Sequence, residues 1–251
     1  MAQATLAAAL AGMSVLVAAE GAWLQARIRP DSWLAAVLRS PLVAVVRLVY
    51  VCGFPYLALM TGLLPPRLFG LKGLEALTPL DFSRPFPVLL GGLAERGGNL
   101  LLAWLPDFGP AAAVIPLTAG AFVAGGWLLR LRLGEGGRAY SAWPEALLDG
   151  IHWSFYRAVG WLLFGSLYPG SVAGLAAMLA EYIAVGRAGR FSAVRQMQYA
   201  LRFAIGLTVT VTFVFVPNLW FALALQVGLA WAARHITGAP QEVILPDAGE
   251  G

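Results

Sequence analysis

Residues 200–234 read ALRFAIGLTVTVTFVFVPNLWFALALQVGLAWAAR, with no charged side chain between Arg202 and Arg234. One membrane-spanning helix needs about 20 mostly apolar residues, so this run is long enough to be divided. Pro217–Asn218 divides it and predicts two short spans in a tight hairpin, 200–216 and 218–234. Outward from this hairpin the pattern recurs, predicting further spans near 4–25, 40–63, 110–132, 145–168 and 170–186. Pro169–Gly170 is expected to separate the last two. The fold class expected is all-α: a polytopic integral membrane bundle of about seven helices in one transmembrane domain, 1–236.

Composition agrees with that reading. The chain is 59% hydrophobic and 12% charged, whereas a soluble domain carries roughly 25% charged residues to cover its water-facing surface. The net charge of +4 invites a nucleic-acid reading, but binders of nucleic acid gather Lys and Arg on one face among other polar residues. Here 16 of the 17 basic residues are Arg, and most stand at the ends of apolar runs. The expected partners are therefore the lipid bilayer and other membrane subunits, not nucleic acid. Cys52 is the single cysteine, which excludes an internal disulfide and any CxxC site. The stretch Thr5–Leu24 has no basic residue before it and reads as a retained first span rather than a cleaved signal.

The basic residues also orient the chain. Seven spans place eleven of them on one side: Arg27, Arg29, Arg39, Arg130, Arg132, Arg138, Arg187, Arg190, Arg195, Arg202 and Arg234. The other side receives Arg67, Lys72, Arg84 and Arg96, among Glu75, Asp81, Glu95 and Asp107. Basic loops face the cytoplasm, which predicts a multi-pass protein of a cell (inner) membrane, N-terminus outside and C-terminus inside. The segment 86–105, apolar but interrupted by Glu95–Arg96–Gly97–Gly98–Asn99, is expected to form an interfacial or re-entrant helix. The Pro-, Gly- and acid-rich tail 237–251 is expected to be a disordered cytoplasmic extension.

Ionisable groups within spans are costly unless paired or hydrated, and each is a candidate for function. Glu20 and Arg47 lie at matched depth on neighbouring antiparallel spans and are expected to form a structural ion pair. Glu145, Asp149, His152 and Tyr156 recur at helical spacing on one face, and Glu181 on the next span lies at similar depth. Glu145, Asp149, His152 and Glu181 are thus the candidate catalytic set, converging in a polar cavity in the inner half of the bilayer. Carboxylates beside a histidine move protons or hold a divalent metal, which makes such a metal the candidate cofactor. A buried hydrogen-bond network is the alternative reading of the same residues.

The hairpin from Gly206 to Trp231, with its Asn218–Leu219–Trp220 start to the last helix, resembles the end of the CPBP intramembrane proteases, the CAAX-protease and bacteriocin-processing group. That family pairs a Glu-Glu-x-x-x-Arg motif with Phe-x-x-x-His and a final His-x-x-x-Asn/Asp. Carried over by position, the last motif falls on Gln226 and Ala230, and Tyr168 in Phe164–Gly–Ser–Leu–Tyr168 replaces the histidine. Glu145–Ala146 and Asp149–Gly150 are approximate counterparts of the Glu-Glu pair. The resemblance therefore implies a divergent protein without most of the hydrolytic residues, acting as a scaffold or partner-binding subunit. An active metal- or glutamate-dependent intramembrane hydrolase and a small-solute or proton-coupled carrier are the alternatives.

The topology is directly testable by cysteine labelling in intact and permeabilised cells. Arg190→Cys should label only from the cytoplasm and Leu80→Cys only from outside; labelling of both from one side would refute the seven-span arrangement.

Overall fold

The computed structural model describes residues 2–29, 32–38, 40–73, 85–133, 143–189 and 193–237. These form nine helices and, among the described residues, no strand: α1 (Ala2–Arg27), α2 (Trp33–Leu38), α3 (Leu42–Met60), α4 (Pro66–Phe69), α5 (Phe86–Leu133), α6 (Trp143–Phe164), α7 (Leu167–Gly189), α8 (Ala193–Phe215) and α9 (Leu219–Thr237). Six of them, α1, α3, α5, α7, α8 and α9, are long and apolar enough to cross a membrane. Their exposed leucines, valines and phenylalanines face outward, as lipid contact requires.

The exception is α6, whose Glu145, Asp149, His152 and Arg157 lower its apolarity. At 22 residues it is about 33 Å long, as long as its neighbours. It is also the most enclosed helix, with every residue from His152 to Gly160 buried. The helix that lipid would tolerate least is wrapped by α1, α3, α7 and α9 and capped by α4. It runs antiparallel to α7, joined through Gly165–Ser166. Gly165 takes the left-handed conformation (φ 64°) that closes this turn. The break therefore falls four residues before the expected Pro169–Gly170, because proline is tolerated in the first turn of a helix and Pro169 sits there in α7.

Small residues set how closely α6 and α7 approach, as in other membrane helix pairs. A Cβ on Gly160 would lie 2.2 Å from the Gly170 carbonyl oxygen, and one on Gly174 would lie 2.8 Å from the Arg157 backbone.

The helix ends sort into two sets. The C-termini of α1 and α7 and the N-termini of α3, α6 and α8 meet at one end, hereafter the arginine-rich end, which carries Arg27 and Arg187. At the other end the Gln3 side chain bonds the carbonyls of Gly62 and Leu63. There the segment 61–73 forms a plug: Leu64, Leu68 and Phe69 are buried in the core, and the Gly70 carbonyl accepts from Leu219 N at 2.9 Å.

The segments 86–105 and 110–132, expected as separate elements, are one continuous helix of 48 residues containing Pro106, Pro110 and Pro116. Residues Trp104 to Gly126 of α5 run beside α9: Trp104 faces Trp220, Phe108 faces Phe221 and Gly126 approaches Ile236. Asp107 fastens this pairing, accepting from Lys72 Nζ at 2.5 Å and from Asn218 Nδ2 at 3.0 Å. Asn218 Oδ1 also caps α9 by accepting from Trp220 N. Residues 86–103 extend beyond the start of α9. The expected tail lies outside the described residues, apart from Thr237, which ends α9.

The glycine contact generates a contrast. Gly160→Ala should lower the thermal midpoint in detergent, by on the order of 1–3 kcal/mol of overpacking. Gly120→Ala, where an added Cβ meets nothing within 4 Å, should be neutral or mildly stabilising. Equal effects of the two changes would refute glycine-set packing of α6 on α7.

Candidate functional site

A cavity of about 680 Å³ lies among α1, α3, α6, α7 and α8. Glu145, Asp149, His152 and Glu181 all line it. Helical spacing puts the first three on one face of α6, and α7 packs antiparallel so that Glu181 comes level with His152. The groups divide into an inner and an outer cluster.

In the inner cluster Glu181 is the common acceptor. Its Oε2 receives Tyr156 OH at 2.6 Å and lies 3.2 Å from His152 Nε2; its Oε1 receives Tyr50 OH at 3.2 Å. Ser14 of α1 lies 3.2 Å from both tyrosine hydroxyls. The His152 ring sits between Tyr50 and Tyr156, with centroids 4.9 and 5.0 Å away. The opposite ring nitrogen, Nδ1, faces the Val51 carbonyl at 3.4 Å. The two ring nitrogens thus face acceptors on opposite sides, the Glu181 carboxylate and the Val51 carbonyl. The geometry is not a serine–histidine–carboxylate relay. Such a relay binds the carboxylate and the hydroxyl through opposite ring nitrogens, and here Nε2 faces both Glu181 and, at 3.5 Å, Ser14.

The outer cluster is an ion chain nearer the arginine-rich end. Arg47 Nη1 donates to Glu145 Oε1 at 2.9 Å, and Arg202 Nη2 donates to Glu145 Oε2 at 2.8 Å. Arg202 Nη1 also lies 3.6 Å from Asp149 Oδ2. This corrects the expected Glu20–Arg47 pair: Arg47 turns to Glu145 on α6, and Glu20 is exposed on α1. The two residues match in depth, but α1 packs mainly on α7 and barely meets α3. Depth along a helix says nothing of the direction around it.

Two of the residues singled out by the family resemblance, Tyr168 and Gln226, do not join the cavity. Tyr168, 63% exposed, stands at the start of α7, at the end away from the ion chain. Gln226 of α9 is fully buried against Gly150, and both atoms of its amide lack a hydrogen-bond partner. Arg157 is buried with its guanidinium 4.0 Å over the Phe213 ring. Among the described residues, no group of three or more His, Cys, Asp and Glu side chains is arranged to hold a metal ion. Glu145 and Asp149 turn toward arginines, leaving only His152 and Glu181 facing each other.

Sequence reasoning missed Ser14, Tyr50 and Arg202 as site residues. Tyr50 follows Arg47 by three positions, the spacing of one helix face, so a signal for it was present. Ser14 stands alone among alanines and valines and carries no such signal.

A double-mutant cycle separates the observed pair from the expected one. Arg47→Met and Glu145→Gln should couple by about 1–2 kcal/mol, between the values typical of exposed and buried pairs. Arg47→Met and Glu20→Gln should add, and coupling between those two instead would overturn the assignment.

No protein-family model matches this chain, and neither a curated protein nor a solved structure matches it.

Proposed function

We propose that this chain is a CPBP-like but non-hydrolytic protein of a bacterial-type inner membrane, serving as a scaffold or partner-binding subunit. Its N-terminus is outside and its arginine-rich end is in the cytoplasm, in keeping with the positive-inside rule. One observation carries the non-hydrolytic reading: the carboxylates in the cavity are already engaged. Glu145 accepts from two guanidinium groups, and Glu181 accepts from two tyrosines and faces His152. Water activation needs a base with a free acceptor, together with donors for the oxyanion. Neither Tyr168 nor Gln226 supplies them.

The partner-binding reading is supported by α5. Its 48 residues make about 72 Å of helix, well beyond the roughly 30 Å hydrocarbon core. Little of its apolar surface is buried within the chain. The segment 86–103, which extends past α9, suits the membrane interface or a neighbouring subunit. A hydrolase remains the second reading, favoured by the His152–Glu181 contact inside a sizeable cavity. The plug of Leu64, Leu68 and Phe69 at the far end disfavours a carrier, which needs access from both faces.

The purified protein should not cleave prenylated or leader peptides, and mild-detergent purification should retain a stoichiometric membrane partner. Gln226→Ala should leave that association intact. Reproducible peptide cleavage abolished by Glu145→Gln or Glu181→Gln would promote the hydrolase.

A further inference from the structure

The cavity has a side opening as well as an end opening. On α1 it is walled by Val17, Ala18 and Gly21, and on α3 by Val43 and Val46. Val17 and Val46 line the cavity and are nevertheless 43% and 66% exposed, so this wall continues onto the lipid-facing surface of the bundle. The cause lies in the packing: α1 leans on α7, α3 leans on α6, and the two helices scarcely touch. Their seam is fastened midway, where Tyr50 OH, whose proton goes to Glu181, accepts from Ser14 Oγ at 3.2 Å. Between that fastening and the arginine-rich end the seam lies open, apolar at its lip and polar at its floor.

We propose that this seam is a lateral entry through which the cavity takes a single bilayer lipid, with an acyl chain along α1 and α3 and the polar head over the ion chain. The head should be electroneutral overall. The ion chain under the head already balances its charge: Arg47 and Arg202 offset Glu145 and Asp149, while Glu181 lies deeper, held by Tyr50, Tyr156 and His152. A net-charged head would leave one charge uncompensated in a low-dielectric site, the arrangement that costs most. A zwitterionic head can instead offer its cation to the carboxylates and its anion to the arginines without displacing either. The volume, about 680 Å³, is within the 300–1,000 Å³ usual for ligand sites. This inference is independent of the scaffold reading, since a partner can dock on α5 whether or not the seam holds a lipid.

The test uses the full chain in nanodiscs of equal parts phosphatidylethanolamine and phosphatidylglycerol, followed by native mass spectrometry. The unmodified protein should retain one phosphatidylethanolamine molecule, enriched about tenfold over the bulk ratio, equivalent to about 1.4 kcal/mol. Gly21→Leu should fill the entry and return retained lipid to the bulk ratio. An added Cβ at Gly21 meets nothing within 4 Å, so the fold should survive the change, with an unaltered melting temperature. Gly12→Leu, on the same helix with equal space but outside the cavity lining, should behave as the unmodified protein. Enrichment of phosphatidylglycerol, no enrichment at all, or equal retention by Gly21→Leu would each overturn the proposal. Loss of the protein partner with lipid retained would instead count against the scaffold reading alone.

Discussion

An ionisable side chain left in hydrocarbon costs several kcal/mol, and α6 carries Glu145, Asp149, His152 and Arg157 into that medium. Each finds its compensation on a neighbouring helix, α3, α7 or α8. Arg47 of α3 and Arg202 of α8 converge on Glu145, and Arg202 also approaches Asp149. His152 faces Glu181 of α7, and Arg157 lies over the Phe213 ring of α8. A helix with such needs has to be surrounded, which explains why the one long helix not apolar enough to face lipid is the most enclosed. The glycines at 160, 170 and 174 belong to the same solution, since they let α7 approach closely enough for Glu181 to reach His152.

That arrangement makes the two ends of the bundle unlike. At one end the short helix α4 and its flanking turns fill the space beneath α6 with Leu64, Leu68 and Phe69, locked by Gly70 to the start of α9. At the other, five helix ends diverge around polar side chains that hydrogen-bond to one another and leave a cavity. The apolar plug thus closes the bundle at one end and leaves the polar chamber at the other.

The Lys72–Asp107–Asn218 cluster has a comparable role for α5. Asp107 is buried between Pro106 and Pro110, where the helix has lost backbone donors, and it ties α5 both to the plug and to the α8–α9 turn. This anchorage fixes which part of the long helix accompanies α9 through the bundle and which part extends beyond it.

Much of this was legible in the sequence. Charge-free runs of about 20 residues have few stable forms other than a spanning helix, so the all-α membrane bundle followed from hydropathy alone. Helical periodicity and depth were also enough to bring Glu145, Asp149, His152 and Glu181 to one cavity. Direction around a helix axis was not legible, because it depends on which neighbour each helix packs against. Arg47 therefore pairs with Glu145 and not with Glu20, and Tyr50 and Ser14 complete a network that depth matching could not foresee. Continuity across Pro106 and Pro110 was likewise settled by the packing of α5 on α8 and α9. Sequence periodicity determined what each helix offers at each depth; the tertiary structure alone decided which offers meet, because pairing in a low-dielectric core depends on contact within about 3 Å.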